Sequence, residues 1–325
     1  TVDPSCLTEA DVVIVVVGTP VDEHLNPDPS AVVAVLAELS PWLRRGQLIV
    51  LRSTVFPGVT RRVEGWFQEN HPGIAVAFCP ERIAEGSALR ELAELPQLVG
   101  ARTDDSADRA IMFFDTLGVR SIRVSPEEAE LAKLFTNSWR YIKFAVANQF
   151  WMMANEFNVD FERVRSAIID DYPRAEDMPR AGSAAGPCLL KDTTQLSAFS
   201  GNRFTLGSAA ITVNEGLPLY LIERLESRFQ LTEMTVGILG MAFKGEIDDN
   251  RSSLSYKLRK LLSFRAREVL CSDPYVVDDR LVDLDKLLHE SDLVIVATPH
   301  AVYQSLVIEK PLVDIWNLYG RGVQV

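Results

Sequence analysis

The sequence has few of the residues by which whole classes of protein are recognised. It contains four cysteines and four histidines in 325 residues. The cysteines lack disulfide and metal-ligand spacing, which predicts reduced thiols, a cytoplasmic location and no metal site; they are Cys6, Cys79, Cys188 and Cys271. No apolar run reaches the roughly 18 residues that span a bilayer, and the first residues lack a signal-peptide pattern. The sequence therefore predicts no membrane segment.

Positive charge is scarce as well. Lys and Arg total 33 against 45 Asp and Glu, which gives a net charge of −12. Nucleic-acid binding requires clustered Lys and Arg, so the charge balance argues against it. An anionic small molecule would have to be held by local cations rather than by the overall field of the protein.

The order of sequence patterns predicts an α/β protein. The chain exceeds the roughly 250 to 300 residues of one core, so we expect more than one domain. A β-branched run, Val12 to Val17, is typical of a strand buried on both faces. Strands and helices alternate to about residue 122, a long helical pattern starts at Pro126, and strands return at Thr235. We predict divisions at 1–122, 123–230 and 231–325.

Several separated motifs resemble those of one family. They are Ser53 to Gly58, Cys79 to Gly86, Lys133 to Asn137, Ala185 to Asp192, Gly237 to Lys244 and Asp248 to Arg251. In order and spacing they resemble the UDP-glucose/GDP-mannose dehydrogenase family of nucleotide-sugar 6-dehydrogenases. The resemblance implies two Rossmann-like domains joined by a long central helical region. The first would bind NAD, the central region would form a homodimer and carry a catalytic Cys loop, and the last would bind the UDP-sugar.

The usual start of a dinucleotide-binding fold is missing. Such a fold opens with a strand and a Gly-rich turn that meets the pyrophosphate, and no such turn precedes Val12. We therefore expect the first domain to be N-terminally incomplete and this chain to bind NAD weakly. We expect that the segment was removed or not resolved rather than naturally lost, because selection rarely keeps a full catalytic set on a sheet that lacks its first strands.

Cys188 is the candidate nucleophile. It follows the small residues Ala181 to Ala185 and precedes Lys191 and Asp192. A thiol attacks as the thiolate, which a neighbouring cation favours, and Lys191 could supply that cation. The alternative is an inert, packed cysteine. The resemblance favours a nucleophile that forms a thiohemiacetal, whose oxidation gives a thioester.

Lys133 and Asn137 are spaced i and i+4, so on a helix both project from one face. An ammonium and an amide aimed at one oxygen would stabilise an oxyanion, and the resemblance gives them that role. The alternatives are a solvated lysine and a surface asparagine. Asp192 would pair with Lys133, or would cap a helix starting at Thr193.

The resemblance also assigns ligand contacts. Glu81 would act as a base or water-positioning carboxylate, and Thr54 would contact a catalytic water. Cofactor contacts would come from Thr19, Pro20, Ser53, Thr54, Glu85, Lys191 and Arg251. Substrate contacts would come from Glu81, Arg82, Lys133, Asn137, Phe243, Lys244 and Arg174, the last reaching a neighbouring subunit unless it is an ordinary surface arginine.

The implied activity is a four-electron, NAD-dependent oxidation of a UDP-sugar at carbon six, in polysaccharide biosynthesis. Cys79-Pro80-Glu81-Arg82 is closer to family members that act on N-acetylated sugars, which favours UDP-N-acetylmannosamine or UDP-N-acetylglucosamine. The alternatives are a UDP-glucose dehydrogenase, a non-catalytic nucleotide-sugar-binding relative, and a 6-phosphogluconate-type or hydroxyacid dehydrogenase, which would not need Cys188.

Overall fold

A computed structural model of the chain describes residues 3–19, 28–323 and 325. It divides into two compact units. The first unit comprises Thr1–Ser138 and Lys191–Phe204, and the second comprises Trp139–Leu190 and Thr205–Val325. Two of the three boundaries fall inside helices, and the third falls directly before a helix that begins at Thr205. The predicted three-part division stays a prediction.

The first unit is built on a five-stranded sheet. Its strands are β1 (Val12–Val15), β2 (Leu48–Leu51), β3 (Ala75–Phe78), β4 (Gln97–Gly100) and β5 (Ser121–Val124), in that spatial order. Neighbouring strands are parallel except β3 and β4, which meet antiparallel at a single pair, Phe78 and Gly100. Helices α1 (Ala31–Leu39), α2 (Val59–Asn70), α3 (Ala88–Glu94) and α4 (Asp104–Asp115) lie between the strands in sequence.

The first predicted strand is shorter and less buried than expected. β1 ends at Val15, and Ile14 is 44% exposed. Within the described residues β1 is an edge strand, so one of its faces is incompletely covered. β2 instead has the fully buried pattern of a central parallel strand.

A buried carboxylate fixes the start of α2. Glu130, 1% exposed, accepts hydrogen bonds from the backbone N–H of Gly58 at 2.7 Å and of Thr60 at 2.8 Å. Those N–H groups have no partner within a helix, and a negative charge is favourable at a helix N-terminus. Glu130 therefore holds its own helix against the turn that follows β2.

The middle of the chain is helical, as predicted. It contains α5 (Pro126–Glu156), α6 (Phe161–Ile169), α7 (Leu189–Phe199) and α8 (Thr205–Glu226). In the second unit, α5 buries Tyr141 and Trp151 completely, but Trp139 is 57% and Phe150 is 42% exposed. No helix in the described ranges combines the length and apolar character needed to cross a membrane.

The second unit carries a parallel four-stranded sheet. Strands β6 (Thr235–Leu239), β7 (Glu268–Ser272), β8 (Leu293–Val296) and β9 (Leu312–Val313) stand in the order β7-β6-β8-β9. Helices α9 (Leu254–Leu262) and α10 (Leu284–Glu290) connect them. Each sheet is a Rossmann-like arrangement. β1, β2 and β3 end at one edge of the first sheet, and all four strands of the second sheet end at one edge. Ligands bind at such edges in folds of this kind.

Candidate active site

In the first unit, α5 and α7 bring Asn137 and Asp192 together. Asn137 Nδ2 donates to Asp192 Oδ2 at 2.5 Å, and the Asp192 side chain is completely buried. Its other oxygen, Oδ1, has no hydrogen bond among the described residues and lies 3.9 Å from Lys191 Nζ. Burial raises the pKa of Asp192, and the positive charges of Lys191 and Lys133 oppose this only in part.

The predicted group of Lys133, Asn137 and Asp192 is therefore one cluster. Because α5 is continuous through positions 133 and 137, both side chains lie on one helix face. Capping by Asp192 does not apply, since α7 begins at Leu189 and Asp192 lies within its first turn.

Hydroxyl groups collect where β1 and β2 end. Thr19 donates to the Thr54 carbonyl at 2.6 Å, and Ser53 Oγ accepts from the Val17 N–H at 2.8 Å. Lys191 Nζ lies 3.4 Å from both the carbonyl and the hydroxyl oxygen of Thr19. The structure thus joins the predicted cofactor residues Thr19, Ser53, Thr54 and Lys191. Pro20, predicted with them, lies outside the described residues.

Glu81 is engaged by a residue that the sequence analysis missed. Arg52, whose side chain is 8% exposed, pairs with Glu81 and donates Nη1 to Gln97 Oε1 at 2.9 Å. Burial works to raise the pKa of Glu81, but the Arg52 guanidinium and the Ile83 and Arg82 N–H groups outweigh it and lower that pKa. The sequence does contain a signal for Arg52, since it is a cation directly before Ser53 and directly after the end of β2.

The other predicted residues of this loop differ in their surroundings. Glu85 is exposed in the segment after β3. Arg82 is half-buried, donates to the carbonyl of Pro96, and has its pKa lowered by burial.

In the second unit, the loop before α7 places Cys188 on the surface. Cys188 is exposed, whereas Cys79 and Cys271 are buried. Burial raises the pKa of Cys79 to about 12 and that of Cys271 to about 11, so both are protonated, inert thiols at neutral pH. Cys188 is not the packed core cysteine of the alternative interpretation.

The same loop packs on the turn after β6. At Gly186, with φ at +106°, a Cβ would lie 2.7 Å from the Phe243 ring, so only glycine allows this approach. The Gly186 N–H also donates to the Ser252 carbonyl at 3.4 Å. Two predicted features, the Cys188 loop and Phe243, are therefore in direct contact.

The three remaining predicted cations of the second unit are exposed. Lys244 follows Phe243 directly. Arg251 binds Asp249 through two nitrogens, with Nε at 2.9 Å and Nη2 at 2.5 Å from Oδ2. Arg174 lies over the Tyr172 ring at 5.7 Å.

A buried Asp–His pair, also missed from the sequence, underlies this edge of the second sheet. Asp273 accepts from the N–H groups of Met241 and Ala242 at 2.6 and 3.0 Å. His300 Nδ1 accepts from the Glu246 N–H at 3.0 Å, so the proton lies on Nε2, 3.2 Å from Asp273. The pair fixes the turn that holds Phe243 and Lys244.

In the described part of the chain no group of three or more His, Cys, Asp or Glu side chains could hold a metal.

Comparison with known proteins decides the family. The sequence matches three domains of the UDP-glucose/GDP-mannose dehydrogenase family: the NAD binding domain at residues 2–117, the central domain at 127–216 and the UDP binding domain at 237–321. The chain belongs to the UDP-glucose/GDP-mannose dehydrogenase family. It is an NAD-dependent dehydrogenase of UDP-sugars, and the 6-phosphogluconate-type interpretation is set aside.

Individual relatives agree with this membership. A UDP-N-acetyl-D-mannosamine dehydrogenase of Methanocaldococcus jannaschii is 29% identical over 320 residues, which cover 96% of this chain and 73% of the relative. An NDP-N-acetyl-D-galactosaminuronic acid dehydrogenase of Ralstonia nicotianae is 26% identical, over 91% of this chain and 75% of the relative.

Solved structures are similar over the same extent. A UDP-glucose dehydrogenase of Pyrobaculum islandicum superposes with a TM-score of 0.89 at 28% identity, over 100% of this chain and 82% of that one. A UDP-N-acetylmannosamine dehydrogenase of Pyrococcus horikoshii gives 0.86 at 27% identity, over 94% of this chain and 75% of that one.

The first unit of this family member offers groups that fit NAD. Gln195 Oε1 is buried without a hydrogen bond among the described residues, and Gln195 lines a small cavity with Thr19, Val55 and Phe56. A buried acceptor without a partner suits a ribose hydroxyl or a carboxamide N–H. Together with the Thr19 hydroxyl and the Lys191 ammonium, it forms a polar lining at the sheet edge where dinucleotides bind.

Proposed function

We propose that the protein oxidises the C6 hydroxymethyl group of a UDP-N-acetylhexosamine to a carboxylate, with Cys188 as the covalent nucleophile. The observation that carries this is the exposed Cys188 at the end of a loop that packs on Phe243 of the UDP-binding domain. The other three cysteines are two buried thiols and Cys6, which lies in the N-terminal 3₁₀ helix.

The chemistry follows from what a thiolate adds to two successive oxidations. NAD, when bound, accepts one hydride in each of the two oxidations. After the first, the Cys188 thiolate attacks the aldehyde carbon, a C–S bond forms, and the carbonyl oxygen becomes the oxyanion of a thiohemiacetal. Loss of the second hydride from that carbon leaves a thioester. Water then adds to the thioester, the C–S bond breaks, and the acid and the thiolate are released.

We assign Lys133 and Asn137 to the oxygen that carries negative charge in these steps. Donors fixed in advance stabilise such an oxygen without reorganisation. Asp192 supports this assignment, because its bond with Asn137 fixes the amide and its carboxyl group lies near Lys133. Glu81 and Thr54 are assigned to positioning the hydrolytic water, and Glu81 is ionised for that task by its pairing with Arg52.

The ligand contacts are proposed as follows. Thr19, Ser53, Thr54, Glu85, Lys191 and Arg251 contact the cofactor, and Arg82, Arg174, Phe243 and Lys244 contact the sugar nucleotide. We propose the same division for the domains: 1–122 binds NAD, 123–230 carries the Cys188 loop, and 231–325 binds the UDP-sugar.

An acetamido sugar is the preferred substrate in this proposal. Two kinds of support exist: the Cys79-Pro80-Glu81-Arg82 motif, and the N-acetylated substrates in the names of the M. jannaschii and P. horikoshii relatives. The similarity to the P. islandicum UDP-glucose dehydrogenase keeps glucose as the competing substrate. A role in cytoplasmic polysaccharide precursor synthesis goes with this activity.

We also propose a homodimer formed through α5. Trp139, Val146, Phe150 and Met153 on this helix are 42 to 60% exposed. Their spacing of seven, four and three residues makes one continuous apolar stripe. Sedimentation equilibrium at micromolar concentration should give twice the chain mass; a monomer would contradict the dimer.

The test of the function combines one variant with three substrates. Cys188→Ser should abolish acid formation, because an alkoxide is much harder to generate than a thiolate at neutral pH. Cys6→Ser, a second exposed cysteine, should behave like the parent protein. Near-normal acid production by Cys188→Ser would exclude covalent catalysis.

Substrate choice is measured on the parent protein. The kcat/KM for UDP-N-acetylmannosamine, UDP-N-acetylglucosamine and UDP-glucose should be highest for one of the acetamido sugars. A tenfold preference for UDP-glucose, about 1.4 kcal/mol of transition-state discrimination, would overturn the substrate assignment and leave the reaction type intact.

A further inference from the structure

The loop that carries Cys188 has little regular structure of its own. Residues 179–185 form neither helix nor strand, and a bend and a turn cover 186–188 before α7 begins. A loop of small residues such as Ser183, Ala184, Ala185 and Gly186 is conformationally free unless side chains outside it restrain it. The restraint comes from elsewhere in the second unit.

Asn148 on α5 holds this loop through both polar atoms of its amide. Its Oδ1 accepts from the Gly182 N–H at 2.9 Å, and its Nδ2 donates to the Gly182 carbonyl at 3.0 Å. Both bonds go to one residue, so they fix the orientation of its backbone as well as its position. Asn148 is completely buried, which strengthens bonds of this kind.

A second buried amide orients the first. Asn148 Nδ2 also donates to Asn214 Oδ1 at 2.9 Å, and Asn214 Nδ2 donates to the Tyr141 carbonyl at 3.0 Å. Asn214 lies on α8 and is completely buried. This chain of bonds determines which end of the Asn148 amide is the donor, so the match with Gly182 is unambiguous.

Packing completes the hold on Gly182. A Cβ at this position would lie 2.3 Å from the Trp316 ring, so the backbone is pressed against an aromatic face. Further along, Ala184 packs with Tyr141 in a buried cluster, and Gly186 meets Phe243. The segment from Gly182 to Cys188 is thus fixed at its start by Asn148 and along its length by packing.

We propose that Asn148 is a positioning residue for the nucleophile: through Gly182 it fixes the loop that presents Cys188. It touches neither substrate nor cofactor in this proposal. The inference rests on the proposed role of Cys188, since a precisely held loop matters for rate only if its thiol reacts.

The test compares two buried asparagines of the same helix. Asn148→Ser removes the two-point hold, and Asn155→Ser is the matched control. Asn155 is 1% exposed, but its amide bonds the Val325 N–H and the Trp151 carbonyl instead of the loop. Asn214→Ser is a third variant, expected to show the Asn148 effect in weaker form.

Asn148→Ser should lower kcat about 100-fold, the scale of a misplacement of about 1 Å, with the KM for the UDP-sugar changed less than threefold. Hydrogen exchange of the amides at 183–188 should become faster in Asn148→Ser and stay unchanged in Asn155→Ser. The conservative Asn148→Gln variant is expected to recover part of the rate if it folds with the loop protected.

The outcomes separate two failures. If loop exchange is unchanged in Asn148→Ser, or if kcat falls equally in Asn155→Ser, the positioning role is wrong. If the exchange result is as expected but Cys188→Ser still forms acid, the restraint exists and the proposed function is what fails. Should Asn148→Ser not fold, Asn214→Ser decides by the same measurements.

Discussion

Two buried aspartates, Asp192 in the first unit and Asp273 in the second, differ in the number of hydrogen bonds that they accept and in the direction of their pKa shifts. Both side chains are fully excluded from solvent. Asp192 in the first unit has one oxygen without a hydrogen bond among the described residues, and its pKa is raised by burial. In the second unit burial acts on Asp273 in the same direction, but bonds from His300 and from backbone N–H groups bring its pKa well below the ordinary value.

Burial alone therefore does not set the charge state of a carboxylate. What decides is how many donors the fold supplies, since each bond to the ionised form lowers the pKa. Asp273 is saturated with donors and stabilises a turn. Asp192 has one oxygen that can accept further hydrogen bonds, and it lies beside Asn137 and near two lysines. Ionisable groups with shifted pKa values and such charged neighbours are commoner at reactive sites than at structural ones.

The largest effect is expected from Asp192→Asn, which should lower kcat about 100-fold or more, comparable to losing a fixed oxyanion donor. The amide oxygen that replaces the carboxylate can still accept from Asn137, but the variant cannot carry a negative charge beside Lys191 and Lys133. The same variant should be more stable to heat than the parent, because burial disfavours the ionised form of Asp192 and Asn has no ionised form.

That gain in stability depends on pH with a definite sign. The folded-state pKa of Asp192 is raised, so the parent loses stability as pH rises from the unfolded value, near 3.8, through the folded value. The Tm difference in favour of Asp192→Asn should therefore grow with pH and then level off. A variant less stable than the parent at pH 8 would show that Asp192 is a structural residue like Asp273.

Asp273→Asn should produce the opposite pattern in the second unit. Replacing one oxygen by an NH₂ group leaves backbone N–H groups such as that of Met241 without an acceptor, at a cost of about 3 kcal/mol in the free energy of unfolding. Because the folded pKa of Asp273 is lowered, its contribution is present above about pH 3.8 and is lost as pH falls below that value. Denaturant titration at pH 7 and at pH 3 measures this. An equal difference at both values would contradict the role of the charge.

The smallest effect is expected at the Arg52–Glu81 pair. Glu81 is 36% exposed, whereas the side chains of Asp192 and Asp273 are completely buried. Arg52→Lys keeps the charge but cannot serve Glu81 and Gln97 together. We expect a loss of about 1 kcal/mol in stability and a rise in the Glu81 pKa. If Glu81 positions the water, the acid limb of the pH–rate profile moves to higher pH. An unmoved limb would remove Glu81 from that role.

The sequence by itself determined the order of most of the elements. The strand starting at Thr235 and the helix starting at Pro126 match the predicted positions, because their hydrophobic pattern is strong and local. β4 and β5 were not predicted, since polar residues such as Gln97 and Arg123 interrupt their apolar pattern. Helical spacing also correctly put Lys133 and Asn137 on one face.

Tertiary structure alone decided which polar groups are paired. Asp273 and His300 are 27 residues apart in sequence, and Arg52 and Glu81 are 29 apart. Each pair joins residues that follow two strands ending at the same edge of one sheet, β2 and β3 for Arg52 and Glu81 and β7 and β8 for Asp273 and His300. No local sequence pattern encodes such a pairing. Asn148 is a further example. In the sequence it is an ordinary helix position, and its proposed role depends on the loop that packs against it in the fold.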